Sequence, residues 1–361
     1  NTSVANFNEM IRVVPNINNN EVRAVGGRLF TDAKGRTFEG WASYFPTQDL
    51  IDQYLVVDQN DHTAKPWYET SQFLNNVEDG NIANLTEGSL NTIRHKVPEA
   101  ADLGTNAKGN IITRYGKIKS SATETNISNL MYQHRDARFY HTIVYDQSSW
   151  LNEEVETNIC GNLWAGVREG QSDSWYTTAS GYYWRKAVTQ VEPRVYADNK
   201  LDYHFVVIRL GEMYMNLAEA YLLKGDIGQA VTALNKTRVV HGNLPASIAG
   251  TLADAWKDYI RERSVEMAYE GDLYWSYLRW GQYGGDANGG AAAGAVVKAL
   301  NTPVHKIQIT KDRKQFFIAQ ITRNGAWERT FTTKRYLMPI PQGTLDKRAA
   351  SGINDAQNEG W

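Results

Sequence analysis

The most regular alternation of apolar and polar positions in the chain lies between Val207 and Arg238. Apolar residues recur there at spacings of three and four, as on one face of an α-helix, at Leu210, Met213, Tyr214, Leu217 and Tyr221. Gly225-Asp226 breaks the pattern, which resumes at Ile227. We predict a helical hairpin whose alanines allow close packing, as in a tetratricopeptide repeat. Such a unit needs neighbours to bury its apolar face.

The pattern predicts further elements on both sides of this hairpin. A third helix is predicted from about Leu252 to Arg279, followed by a flexible glycine- and alanine-rich loop at 281–295. Pro46 and Thr47 signal the start of a helix that carries Leu50, Ile51 and Tyr54 on one face.

Strands and irregular segments are predicted mainly outside the helical region. The first forty residues predict loop structure with one hairpin, and 75–125 predicts an irregular stretch. Three segments are rich in β-branched and aromatic residues and predict short strands, namely 136–145 (ending near Trp150), 315–321 and 335–342.

Composition favours a folded globular protein without a nucleic-acid partner. The 361 residues are 42% hydrophobic and 22% charged, and 38 Lys and Arg nearly balance 40 Asp and Glu. A net charge of −2 provides no broad basic face for a phosphate backbone. The 11 tryptophans and 20 tyrosines supply large rings with a polar edge, which suit the stacking of sugars or peptides as well as a core.

Several kinds of site are not indicated by the sequence. Cys160 is the only cysteine, so no intramolecular disulfide and no multi-cysteine zinc site can form. The histidines show no spacing typical of metal ligands, and neither a GxSxG elbow nor a phosphate-binding loop occurs. We therefore predict no metal and no cofactor. No apolar run approaches the ~18 residues that a membrane span needs, so the polypeptide as given is expected to be soluble.

Six segments, taken in order, are similar to the motifs of the SusD/RagB family. They are FPTQDLIDQY, DARFYHTIVY, SGYYWRKA, the hairpin from Val207 to Arg238, RERSVEMAYEGDLYWSYLRWG, and RYLMPIPQGTLD with the terminal QNEGW. The chain departs from the motifs at Ala137 and Glu359, where the family usually has proline, and at Asp272-Leu273-Tyr274, where an arginine often precedes the aromatic residue. The resemblance covers about residues 45–361, and the chain resembles about the C-terminal two thirds of a family member.

The resemblance implies a mainly α fold, in which tetratricopeptide-like helical hairpins pack against an irregular, loop-rich lobe with short β-strands. It implies one SusD-like domain over 1–361, with a loop-rich, ligand-facing lobe at 1–200, a helical core at 201–281, and a loop insertion and closing segment at 282–361. The implied function is capture of glycans or peptides without catalysis and their delivery to a SusC-like, TonB-dependent transporter. The implied location is the outer-membrane surface, with the lipid anchor on a segment outside this chain.

The charged helix of the fifth motif has two interpretations. Carboxylates four residues apart share a helix face and could perform acid–base chemistry. Arginines at neighbouring positions favour structural ion pairs instead, because opposite charges three or four residues apart attract and lower carboxylate pKa values. We assign this structural role, which the resemblance also implies, to Arg261, Glu262, Arg263, Glu266 and Glu270.

Candidate ligand contacts lie in an aromatic, polar-rimmed stretch between two of the motifs. An apolar sugar face stacks on an indole while amide and charged groups bond to its hydroxyls. The candidates there are Trp164, Arg168, Gln171, Asp173, Trp175 and Tyr176. Trp41 and Trp67 flank the helix predicted after Pro46 in polar surroundings and are further candidates.

Two other functions remain open at this stage. A glycoside hydrolase on a helical scaffold needs a carboxylate pair without arginine partners, for which the candidates are Asp49, Asp52, Glu154 and Asp173. An intracellular tetratricopeptide scaffold that binds proteins should show at least three repeats. Only one hairpin is evident in the sequence.

Overall fold

The computed structural model describes residues 10–14, 30–31, 37–38, 42, 44–85, 112–150, 153–159, 161–163, 178–186, 205–280, 304–321 and 333–361. The α-helices in this part of the chain are α1 (Gln48–Ile51), α2 (Ser71–Asn76), α3 (Ile127–Tyr132), α4 (Ala137–Thr142), α5 (Leu210–Leu223), α6 (Ile227–Arg238), α7 (Leu252–Glu266), α8 (Asp272–Arg279) and α9 (Gln342–Ala350). Short 3-10 helices occupy Trp67–Glu69, Ile82–Asn84 and Thr333–Tyr336.

The strands are short and pair antiparallel. They are β1 (Met10–Val14), β2 (Phe30–Thr31), β3 (Thr37–Phe38), β4 (Val56–Val57), β5 (Ala64–Lys65), β6 (Val77–Asp79), β7 (Ile112–Ile118), β8 (Ile143–Val144), β9 (Ser148–Trp150), β10 (Glu153–Val155), β11 (Tyr183–Trp184), β12 (Phe205–Arg209), β13 (His305–Ile309) and β14 (Gln315–Gln320). The four-stranded sheet has the order β13-β14-β7-β6, and the other strands form two-stranded pairs, β1 with β12 among them.

The helical hairpin forms where the apolar periodicity predicts it, but it begins later. Residues up to Arg209 continue strand β12, so Val207 is in a strand and α5 starts at Leu210. Gly225 makes the turn with a φ of 76°, a conformation that favours glycine. The Asp226 side chain then accepts a hydrogen bond from the backbone N–H of Gln229 and caps α6.

The predicted third helix is two helices. α7 ends at Glu266, and α8 begins only at Asp272. Between them Tyr269 and Gly271 have φ angles of 61° and 77°, which no α-helix accommodates. The single-helix prediction was wrong because glycine and an aromatic residue adopt the left-handed conformation there and redirect the chain.

Three strand or loop predictions were also wrong. The segment from Asp136 to Thr142 is helix α4, because the Asp136 carboxylate caps the backbone N–H of Arg138, and only Ile143–Val144 is a strand. Within 75–125 the described residues include β6 and β7. Residues 335–342 form no strand, since Pro339 and Pro341 cannot donate to a ladder and Pro341 caps α9. The predictions of a strand at 315–320 and of a hairpin among the first forty residues are confirmed.

Three apolar clusters support these elements, and the smallest joins β7 to β14 through Ile112, Phe317 and Ala319. The largest one joins α1–α4 to the four-stranded sheet and is rich in fully buried rings, including Trp67, Trp150, Phe139, Tyr182 and Phe316. The second lies between α5, α6, α7 and Trp280, and its alanines permit close helix approach. The glycine- and alanine-rich loop predicted at 281–295 lies outside the described residues.

Arg135 is buried between α1 and α3 without a carboxylate hydrogen-bond partner. Its guanidinium donates to the carbonyl oxygens of Met131, Ile51 and Tyr54 at 2.6–3.0 Å, and it lies 4.8 Å from the ring centroid of Phe139. These carbonyls lie at the C-terminal ends of two short helices, where backbone acceptors lack a partner within the helix. One cation therefore terminates both helices.

Replacing Arg135 with methionine is expected to destabilise the fold by ~3 kcal/mol or more, because three buried carbonyls lose their donor. Urea unfolding followed by circular dichroism measures the change. Arg348→Met is the matched control, since Arg348 is about half exposed and pairs only with Asp355 on the surface. Equal unfolding midpoints for the two variants would contradict the role of Arg135.

Candidate functional site

Two carboxylates of α7 lie at the centre of a buried ionic network. Glu262 and Glu266 are 2% and 4% exposed. Arg138 of α4 donates to both, at 2.5 Å to Glu262 Oε1 and 2.7 Å to Glu266 Oε2. Arg209 of β12 contacts Glu266 from another side, and the hydroxyl of Thr237 donates to Glu262. The network thus joins three segments that are far apart in the sequence.

The outer members of this network also have partners. Glu270 pairs with Arg209 and with Lys186, which lies at the end of the SGYYWRKA segment. Arg263 forms two hydrogen bonds to the carboxylate of Asp272 at the start of α8. Arg261 differs, because its Nε is buried and has no hydrogen-bond partner within the described part of the chain.

The ion pairs therefore differ from those predicted along the helix. Glu262, Glu266 and Glu270 pair with cations from other elements, not with Arg261 or Arg263 three or four residues away. This face of the helix is buried, so its carboxylates need cationic partners from the elements that pack against it. The sequence pattern of one helix does not indicate which residues of other elements will pair with its carboxylates.

The electrostatics of Glu266 fit a structural role. Burial alone would raise its pKa, but the hydrogen bond with His241 and the charges of Arg209 and Arg138 outweigh burial and hold the pKa well below its ordinary value. The pKa of Arg209 is raised, since the partner carboxylates Glu270 and Glu266 outweigh its own desolvation. A carboxylate held ionised in this way cannot serve as a general acid near neutral pH.

Trp67, which was predicted as a ligand contact, lies in the core. Its side chain is 0% exposed, and its indole N–H donates to the Asp52 carboxylate at 2.7 Å. Phe73 and Phe316 pack edge-on against it at 4.8 and 5.6 Å between ring centroids. Trp67 therefore offers no stacking face to a ligand. The neighbouring Tyr68, which the sequence did not single out, is the half-buried ring at this position.

Two of the carboxylates kept as hydrolase candidates have side-chain partners. Asp49 pairs with His305 at 2.7 Å, and this interaction lowers its pKa although burial opposes it. Asp52 accepts from Gln48 and Trp67, and burial raises its pKa. Glu154 is exposed in β10, and Asp173 lies outside the described residues. The sequence singled out Asp52 as an unpaired carboxylate, but it did not indicate the partner Trp67, which is 15 residues away.

Most of the candidates for ligand contact lie outside the described residues. They are Trp41, Trp164, Arg168, Gln171, Asp173, Trp175 and Tyr176. The structure does describe the base from which segment 164–177 departs and returns. The hydroxyl of Tyr183 donates to the carbonyl of Leu163 and accepts from the N–H of Thr178, so both ends meet at one buried side chain.

Asp146 strengthens this base. Its carboxylate is 0% exposed and accepts from the backbone N–H groups of Thr157 and Asn158 and from Ser128 and Arg313. Binding loops typically project from such rigid supports.

Metal binding and membrane insertion have no support in the described residues. No group of three or more histidines, cysteines or carboxylates in this part of the chain could hold a metal ion. None of the helices described has the length and apolar content to cross a membrane.

Comparison with known proteins gives one family and several similar structures. The model of the SusD family matches residues 5–361. A SusD-like protein of Bacteroides fragilis NCTC 9343 (BF3747) is 20% identical, with a TM-score of 0.58, and the match covers 100% of this chain and 55% of that one. A SusD-like carbohydrate binding protein of the same organism (BF0978) is 15% identical, with a TM-score of 0.51 and coverages of 94% and 53%. A search of curated proteins found no match.

These structures have the fold class predicted from the sequence, a mainly helical, SusD-like architecture with short strands. The chain spans about half the length of the structures it matches. A similarity at this level of identity establishes the fold alone.

The Glu266 network gives a pH-dependent prediction. Because the pKa of Glu266 is lower when folded, its ionised form stabilises the fold above its unfolded pKa, and this contribution disappears as pH falls through the folded pKa. Glu266→Gln should therefore cost ~3–5 kcal/mol near neutral pH. The difference from wild type should shrink below about pH 4.

Thermal melts between pH 7 and pH 3 test this expectation. Glu78→Gln serves as control, because Glu78 is about half exposed and pairs with Lys117 on the surface. A melting temperature of Glu266→Gln that equals that of wild type at pH 7 would rule out the structural role.

Proposed function

Because the chain belongs to the SusD family, we propose that it captures glycans or peptides at the surface of the outer membrane and delivers them to a SusC-like, TonB-dependent transporter. It is held at the membrane by a lipid anchor and does not convert its cargo. The observation that carries this proposal is the family match over residues 5–361. The chain spans about half the length of its structural relatives, so partner and location are part of the proposal.

Binding without turnover agrees with the state of the described carboxylates. Glu262, Glu266 and Glu270 are neutralised by arginine or lysine. A glycosidase needs two carboxyl groups facing one sugar, one of them protonated as the acid. Asp52 has a raised pKa, but its Oδ1 already accepts two hydrogen bonds that hold the packing around Trp67. Because these carboxylates have structural roles, the scaffold supports ligand binding and not catalysis as its function.

We place the ligand contacts on the segment between Leu163 and Thr178. Trp164, Trp175 and Tyr176 would provide stacking faces, and Arg168, Gln171 and Asp173 would bond to hydroxyl or peptide groups. Trp41 remains a further candidate. The clamp at Tyr183 supports this choice, because it fixes both ends of the segment on the core. One similar structure is named a carbohydrate binding protein, which makes glycans the first ligands to test.

Replacing Trp175 with alanine is expected to weaken glycan or peptide binding by about tenfold or more, since stacking residues dominate such contacts. Glycan and peptide arrays identify a ligand, and calorimetry then measures its affinity for wild type and variant. Trp150→Phe is the control, because Trp150 is fully buried and should affect stability instead. An affinity for Trp175→Ala within twofold of wild type, with an intact fold, would place the site elsewhere.

The absence of catalysis is a separate prediction. Incubation of the purified chain with the array ligand should release no shorter product, because Glu262, Glu266 and Glu270 are held in ion pairs and Asp49 and Asp52 are bonded to other side chains. Chromatography of the ligand over a day at 37 °C measures this. Turnover that disappears when one aspartate or glutamate is replaced, with folding preserved, would contradict the binding function and favour a glycoside hydrolase.

A further inference from the structure

A small cleft opens between strand β12, helix α5 and the segment from Met267 to Asp272. Its volume is about 150 Å³. The lining includes Val207, Arg209, Glu212, Met267, Glu270 and Asp272. The cleft is smaller than the roughly 300–1,000 Å³ that encloses a drug-sized ligand. It therefore suits a single unit of a larger ligand.

The polar groups at the base of the cleft are already held in place. Arg209 is 9% exposed, and its guanidinium bonds to Glu266 and Glu270. Asp272 is fixed by its two hydrogen bonds from Arg263. A ligand would meet this surface without having to order its side chains, which lowers the entropic cost of binding.

Glu212 is the exception in this lining. It lies in the first turn of α5 and is partly exposed. Among the described residues its carboxylate makes no hydrogen bond and no ion pair. An ionised carboxylate has two oxygens that accept hydrogen bonds, and such charge-assisted bonds are the stronger kind. Glu212 can therefore accept from two adjacent hydroxyl groups.

An exposed indole lies on helix α8, whose first residue, Asp272, lines the cleft. Trp275 follows Asp272 by three residues on α8, which places it on a neighbouring position of the helix surface. Its side chain is 55% exposed, whereas Trp67, Trp150, Trp184, Trp256 and Trp280 are at most 6% exposed. The ring of Tyr274 forms a T-shaped pair with it, with 5.1 Å between the ring centroids. A large exposed ring next to a polar cleft is typical of a binding surface.

We propose that this cleft is a second carbohydrate subsite, which takes one sugar unit of a glycan. The sugar's hydroxyls donate to Glu212, and its apolar face stacks on Trp275. Sugar chemistry fits better than a purely apolar ligand, because the cleft combines one ring face with carboxylate acceptors. This inference rests on the proposed glycan-binding function but uses none of the residues between Leu163 and Thr178.

Fluorine NMR of the chain labelled with 5-fluorotryptophan reads this site directly. The Trp275 signal is assigned with Trp275→Phe, and the chain is titrated with maltohexaose, laminarihexaose, xylohexaose and mannohexaose. We expect one of these sugars to shift the Trp275 signal with a saturable curve. Glu212→Gln should weaken that curve by about tenfold, as loss of a central contact does. The signal of Trp361, which is 43% exposed in the C-terminal segment, is the internal control and should not move.

Three other results would overturn the subsite. If calorimetry detects sugar binding but the Trp275 signal does not move, the cleft is not the binding site. The proposed glycan-binding function would then still stand. No binding of any hexasaccharide by either method contradicts both proposals. A shift caused by pentalysine but by no sugar means that the cleft binds cations through Glu212. If Glu212→Gln has the same melting temperature as wild type, a weaker binding curve reflects the lost contact and not unfolding.

Discussion

The burial of two ionised carboxylates on α7 is the constraint on which the rest of the structure depends. An ionised carboxylate removed from water costs several kcal/mol unless cations and hydrogen bonds compensate it. For Glu262 and Glu266 the compensation comes from Arg138, which lies 124 residues before Glu262, and from Arg209 at the end of β12. α4 and β12 therefore supply the cations without which these two carboxylates would be buried unpaired.

This constraint separates the scaffold from the parts that contact ligand. The network uses arginine and glutamate, the residue types that catalysis and sugar recognition also use, so their abundance on α7 is no sign of a site. What the scaffold does provide is rigid support. Tyr183 and Asp146 close the base of the aromatic segment, and Arg209 and Arg263 fix the floor of the cleft beside α8. The residues that we propose for ligand contact are side chains that the scaffold does not use, and Glu212 is one of them among the described residues.

The local sequence pattern was sufficient to predict elements that are stabilised by contacts close in the sequence. The periodic apolar positions place α5 and α6, and Gly225 marks their turn. The same reasoning failed at α4, where a capping aspartate outweighed β-branched and aromatic composition, and at the break before Asp272, where backbone conformation decided. The role of Arg138 could not be predicted, because its partners belong to a helix more than a hundred residues away. For the candidate sites, the sequence indicated the aromatic segment, whereas the cleft residue Glu212 and the exposed Trp275 were identified only from the fold.

Trp67 and Trp275 show why exposure of an indole cannot be deduced from its neighbours in the chain. Trp67 stands among lysine, proline, tyrosine and glutamate, yet it is buried, because Asp52 accepts its N–H and two phenylalanines cover its faces. Trp275 lies in a motif whose charged residues build the core, yet it is exposed, because the buried face of α8 passes through Ser276 and Trp280. Trp67 is buried because other segments bring both an acceptor and a covering surface. Where these are absent, an indole ring remains available to a ligand that supplies them.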